Sequence, residues 1–427
     1  MRVPRRRRRN LVHADISLSP PRRERGPLRS VLAVRNFQLY FIGQTVSVSG
    51  TWMQTVAIAL LVLQISESGA WLGLVIACRY APVLLLSLWG GVIADRLPKR
   101  RIIIAASTAN GMLATTLGIC VLLSSVSIPL VMAICALMGA ANAFDNPARQ
   151  AWLSELVTDA LLHSAVRLNS TLISIARIIG PLLAAVVITR WDLGWCFVLN
   201  AMSFGAVVVV TAVMQTSASD HSTSVDRQPG QIRQALRHVY RTRLLVIPMS
   251  LVAVNGALTL EFPVTLPLMA EYVFEGDAAV YACMTASMGA GAVLSGIVGA
   301  SRPPPSNRSL WLSAVAWGIA ICAAALSPSL PVMYFLLFFV GYGSVSFNSN
   351  TKTVLQLQAS PDMRGRVMAL WALAWIGSGA FGAPLVGAIG ELLGARYALL
   401  LGGLAAVVGG IAVIQPLRER TPLRRSM

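Results

Sequence analysis

The sequence predicts an all-α membrane protein of twelve transmembrane helices in two pseudo-symmetric six-helix bundles. Three observations carry this. Hydrophobic residues make up 56% of the 427-residue chain and charged residues only 12%, about half the roughly 25% of a soluble domain, too few to cover a soluble surface of this extent. Twelve apolar runs reach the roughly 20 residues that a helix needs to cross a bilayer. The net charge of +18 is confined to alternate segments between those runs, as in a chain that crosses back and forth.

The first element is a basic leader, residues 1–35, with consecutive arginines from Arg5 to Arg9. It reads as a disordered cytoplasmic topology signal in loose contact with anionic lipid, with no nucleic-acid partner expected. The apolar run that follows is too long for a signal-peptide core and precedes no small-residue cleavage site, so it is taken as the first span. The expected spans are 37–63, 71–94, 102–123, 128–148, 166–189 and 195–214 in an N-terminal bundle, 36–214. A polar, then basic, cytoplasmic loop at 215–243 follows. Spans 244–270, 278–300, 309–327, 331–351, 366–389 and 396–415 form a C-terminal bundle, 244–415, before a basic cytoplasmic tail, 416–427. Gly, Ala, Ser and Pro recur inside the runs, as suits helices packed closely in lipid. The runs lack the short alternation of a transmembrane barrel. Phe144, Arg149, Asp159 and Pro181 recur 203 residues later as Phe347, Lys352, Asp362 and Pro384, a weak internal repeat that fits two parallel six-helix halves.

Of the 35 basic residues, 31 fall in the leader, the tail and every second loop. Arg190 and Arg396 are the basic residues of the intervening loops, where Glu67, Glu271, Glu275 and Asp277 lie. Positive residues favour the cytoplasm, so both termini are expected there, in the cell membrane.

Three charges fall inside spans and are the leading candidates for function: Arg79, Arg177 and Glu261. Intramembrane charges are costly and face a cavity or a partner. Glu261 precedes Pro263 and Pro267, so local unwinding is expected there. A buried carboxylate can carry a proton or bind substrate; the plainer alternative is an ion pair with Arg79 that closes an outer gate. Either arginine suits an anionic substrate group or a counter-charge for Glu261. Gln44, Gln54, Asn110, Asn255 and Asn348 can line a cavity or simply bond helix to helix. Trp52, Trp371 and Trp375 can stack an aromatic substrate or fill the core. The six cysteines lie in spans without metal or redox spacing, and no phosphate-binding loop or catalytic triad is present. An enzyme is therefore not expected, nor any cofactor.

The second span ends Gly90-Gly91-Val92-Ile93-Ala94-Asp95-Arg96-Leu97-Pro98-Lys99-Arg100-Arg101. This resembles the signature loop G-x-x-x-D-R-x-G-R-[KR] of the major facilitator superfamily, with Pro98 in place of the usual glycine. With NFQLYFIGQTVSVSGTWMQ at 36–54, FDNPARQAWLSELV at 144–157 and SPDMRGRVMALW at 360–371, the chain resembles the bacterial branch that includes enterobactin exporters and multidrug efflux proteins. The resemblance implies secondary active transport of a small molecule, most often export driven by a proton gradient, by a monomer. Uptake on the same fold, or a non-transporting scaffold or sensor, is the alternative. It also implies that Gly91, Asp95, Arg96 and Arg100 form a conformational latch with Arg364 and Arg366. Gly180-Pro181 resembles an antiporter G-P-x-x-G-G motif, with Ala184-Ala185 for the glycines. Pro384 repeats that proline, so Gly180, Pro181 and Pro384 are candidate pivots.

Overall fold

The structure is a computed structural model that describes residues 27–214, 237–299, 305–360 and 363–413. Most of the leader, central loop and tail lies outside the described residues. Within the described residues every regular element is helical, and twelve helices are long and apolar enough to cross a membrane. Helices are the open-chain solution because each backbone group is satisfied within its own segment.

After a short helix, Pro27–Leu32, come α1 (Arg35–Ser66), α2 (Gly69–Arg96), α3 (Lys99–Leu122), α4 (Ile128–Glu155), α5 (Asp159–Arg190) and α6 (Leu193–Val213). The second half has α7 in two pieces (Arg243–Leu258 and Phe262–Tyr272), α8 (Ala278–Gly299), α9 (Asn307–Ala325) and α10 (Leu330–Gln358). Then α11 runs Arg364–Ala372, a π-helical turn Leu373–Gly377 and Gly379–Leu392, before α12 (Ala395–Ala412). Polar residues punctuate the short turns: Ser68 caps α2 by accepting from the Trp71 N–H at 3.2 Å, and Asp192 caps α6 by accepting from the Gly194 N–H at 2.8 Å. Such caps satisfy amides that have no partner inside the helix.

The break in α7 falls where the sequence predicts it. The chain leaves the helix at Thr259 and re-enters at Phe262. Pro263 sits in the first turn of the second piece, where its missing N–H costs nothing. The π-turn of α11 lies beside the break, because Gly256 of α7 packs on Ser378 of α11.

The two bundles meet chiefly along two seams, α2 against α11 and α5 against α8. At the end of the molecule remote from Arg35 and Ala412, here the far end, the α2–α11 seam is tight. Gly69 and Gly73 lie against Gly387 and Ala383, and backbones can approach so closely only without side chains between them. Polar contacts close the same rim. The Ser68 hydroxyl and the Ala70 N–H, the latter at 2.9 Å, both donate to the Glu391 carboxylate. The Tyr272 hydroxyl donates to the Glu67 carbonyl at 3.0 Å.

Many residues counted with loops by sequence belong to helices, and two of them bear on the site. Arg149 lies within α4 and Lys352 within α10. Apolar runs end at the first cation, whereas these helices continue past it because Arg149 finds partners and Lys352 reaches a cavity.

Candidate functional site

Between the halves, at the level of the α7 break, lies a cavity of about 810 Å³. It extends from Tyr281 of α8 and Leu266 of α7 towards the near end, reaching Asn146 of α4 and Lys352 of α10. Six residues singled out by sequence line it: Trp52, Arg79, Arg177, Glu261, Asn348 and Trp375.

Glu261 is the N-cap residue of the second α7 piece and is only 2% exposed. Its carbonyl accepts from the N–H groups of Val264 at 3.0 Å and Thr265 at 2.9 Å, which restarts the helix immediately after it. Gly379 of α11 makes room for the carboxylate. A Cβ at that position would lie 3.0 Å from the Tyr80 ring and 3.1 Å from the Glu261 carboxylate oxygen. The missing side chain lets an acid of one half and a tyrosine of the other border the same gap. Tyr80 in turn lies within electrostatic reach of Glu261, Arg79 and Arg177.

Arg79 donates to the Thr55 hydroxyl at 3.2 Å. The Arg177 guanidinium lies 4.9 Å from the centre of the Trp52 ring, and its Nε is buried with no hydrogen-bond partner among the described residues. The ion pairs among those residues are Lys99–Glu155 and Arg149–Asp145. The gate-closing pair of Glu261 with Arg79, expected as an alternative, is thus not formed; the far end is closed by Glu391, Ser68 and Tyr272 instead.

Other candidates sit elsewhere. Gln44 accepts from Arg149 at 2.5 Å, within a cluster where Arg149 also donates to Ser107 at 2.9 Å and pairs with Asp145 at 2.5 Å. Gln54 accepts from Asn200 and donates to the Met138 sulfur. Asn110 donates to Asn142 at 3.3 Å, so it only backs a cavity residue. Asn255 bonds the Leu251 carbonyl and Thr259 next to the α7 break. Trp371 is buried. It stacks on Trp375 with ring centres 6.1 Å apart and carries Lys352 4.9 Å over its face.

Of the expected latch, the side chain of Asp95 lies outside the described residues. Arg96 and Arg364 are exposed, Arg366 donates to the Met363 sulfur, and Arg100 donates to the Ala212 carbonyl. The close approach of α2 to α4 falls on Gly90, against Ala143, one residue before Gly91. Gly180 packs on Trp52 and the Ser49 carbonyl, so it lets α1 and α5 touch. Helix α5 runs unbroken through Pro181, and the irregular turn of α11 precedes Pro384 by several residues.

Sequence reasoning missed Tyr80, Lys352 and the Glu391 rim. Tyrosine is an ordinary core residue by type, and Lys352 stood where an apolar run stops. The partners of Glu391 are the capping Ser68 hydroxyl and the Ala70 N–H of α2, and a cap residue does not say which other helix will meet it.

Residues 27–422 match the profile of the family described as transmembrane secretion effector. The chain belongs to this family of major facilitator transporters. It is 23% identical to the staphyloferrin A transporter of Staphylococcus aureus (strain NCTC 8325 / PS 47) over 334 residues, covering 75% of this chain and 81% of that one. It is 24% identical to the multidrug efflux pump Tap of Mycobacterium tuberculosis (strain ATCC 25618 / H37Rv), covering 89% and 94%. Among solved structures it shares the fold of a bacterial homolog to human lysosomal transporter Spinster, in an inward-facing and occupied conformation. The TM-score there is 0.71 at 14% identity, covering 92% of this chain and 98% of that one. The transporter's charged residues therefore lie on a known fold.

Proposed function

We infer that this transporter exports a small organic molecule, a siderophore or a drug-like compound, by alternating access, and that Glu261 couples the movement to protons. The observation that carries this reading is the placement of Glu261. It is an acid without an ion-pair partner among the described residues, at the break of α7, in the wall of a cavity between two halves. A carboxylate so held is a group that a transporter can load and unload with a proton as the cavity changes sides. The segregation of basic residues supports a cytoplasmic near end. The cavity, closed at the far end and reaching Lys352 at the other, is then in its inward-facing form. Likeness to a neighbour described as inward-facing agrees with this. The efflux names of the relatives and the siderophore name of another support the direction and the two substrate classes.

The test is transport into inverted membrane vesicles with candidate compounds, with and without an imposed pH gradient. The expected result is accumulation that responds to the gradient in the wild type and loses that response in Glu261→Gln. A variant with an unchanged pH response removes Glu261 from the coupling role.

A further inference from the structure

The charges of the cavity wall go beyond the coupling acid. Among the described lining residues three are cations, Arg79, Arg177 and Lys352, and one is an acid, Glu261. Even with Glu261 ionised, the wall carries a formal excess of two positive charges. None of the three cations forms an ion pair among the described residues. Two of them rest on indole faces instead: Arg177 over Trp52 and Lys352 over Trp371, each at 4.9 Å. An aromatic face offsets part of the cost of taking a cation out of bulk water, yet leaves its N–H donors free for a partner. Arg177 keeps such a donor, its Nε, buried and unbonded.

The placement of the cations matters as much as their number. Arg79 and Arg177 belong to the N-terminal half, on α2 and α5, and Lys352 belongs to the C-terminal half, on α10. Lys352 is one of two lysines in a chain with 35 basic residues. An ammonium on a flexible stem suits a variable partner, whereas guanidinium forks fix a carboxylate in two-point geometry. Trp375, stacked on Trp371, lines the same wall and offers a flat surface beside the ammonium.

We propose that the cavity is a site for organic anions that carry a planar or aromatic group. Arg79 and Arg177 hold an anionic group from one half and Lys352 another from the opposite half, and organic cations are rejected. This rests on the reading of the cavity as the transport site, and it narrows that reading from either substrate class to anionic members of both. An anion placed between the halves also cancels the repulsion that like charges on facing walls exert as the walls close, so the loaded carrier closes more readily than the empty one.

The experiment is calorimetric titration of the full chain in lipid nanodiscs with three probes: a naphthalene dicarboxylate, its neutral dimethyl ester and the cation tetraphenylphosphonium. The dicarboxylate is expected to bind at least about tenfold more tightly than the ester, since hydrogen bonds to charged groups are worth at least that factor, and tetraphenylphosphonium most weakly. Lys352→Gln should weaken the dicarboxylate about tenfold, and Lys352→Arg should keep most of the affinity. Lys352 is exposed, so both variants should fold. The proposal is overturned if tetraphenylphosphonium binds as tightly as the dicarboxylate, if none of the probes binds, or if Lys352→Gln leaves the dicarboxylate unaffected. Binding is read without transport. A cation carried in a Glu261-dependent way would sink this proposal and leave the transport reading intact. Anion binding without transport would do the reverse.

Discussion

Replacing Gly73 by valine should push the transporter towards its outward-open form. Gly73 of α2 lies against the backbone of Ala383 and Pro384 of α11, with no room for even a Cβ. In the closed far end an added isopropyl group must displace backbone, which cannot swing aside as a side chain can. Overpacking of this kind costs about 1–3 kcal/mol. The cost falls on the state in which α2 and α11 touch there, and it is relieved when the far ends part. The equilibrium should therefore shift by roughly 5- to 150-fold. Trp71 and Leu392 are 45% and 81% exposed at the far ends of the same two helices, so spin labels on cysteines there, in a background lacking the six native cysteines, report their separation. Pulsed electron spin resonance should show a longer-distance population growing at the expense of the shorter one. Gly73→Val with an unchanged distance distribution and full transport would refute the account of the far-end seam.

Further outcomes follow from other contacts. Glu391→Gln removes the charge that accepts from Ser68 and Ala70 across the rim; because the site is exposed, the effect should be small, a few-fold shift towards opening, seen with the same label pair and absent in Glu275→Gln. Ser68→Cys with Glu391→Cys, bridged by a short bifunctional methanethiosulfonate that spans the length of the lost glutamate side chain, should stop transport until reductant is added, whereas continued transport by the cross-linked protein would mean that the rim need not part. Arg149→Ala leaves the buried Asp145 carboxylate without its partner and should lower stability by about 3–5 kcal/mol, read as a fall in melting temperature in detergent; Asp145→Asn combined with Arg149→Gln should recover part of that loss.

The sequence makes the fold legible because the bilayer imposes one rule on every segment: about twenty apolar residues, helical, with charges parked between spans. That rule locates all twelve helices, and the cluster of Glu261, Pro263 and Pro267 marks the α7 break. The same rule misplaces Arg149 and Lys352. A cation ends an apolar run on paper, but in the structure α4 continues because Arg149 is satisfied by Gln44, Ser107 and Asp145, and α10 continues because Lys352 stands in a cavity. The candidate site divides along a similar line. Charges in a span are rare enough to be informative singly, and Arg79, Arg177 and Glu261 do line one cavity. Polar amides are not. Gln44, Gln54, Asn110 and Asn255 bond their own neighbours, because one side chain on a helix can face lipid, core or cavity and its type does not say which. The Glu391 rim was out of reach for another reason: its partners are a capping serine and a backbone N–H of α2, and only the antiparallel meeting of α2 and α11 brings them together.

The claim at the centre of this account is that Glu261 links substrate movement to protons. The most direct measurement is proton flux in proteoliposomes that enclose a pH-sensitive dye, recorded when a transported compound is added on one side. The account predicts a substrate-triggered change of internal pH with the wild type and none with Glu261→Gln, although the variant still binds the compound. A proton signal of the same size from Glu261→Gln would contradict it.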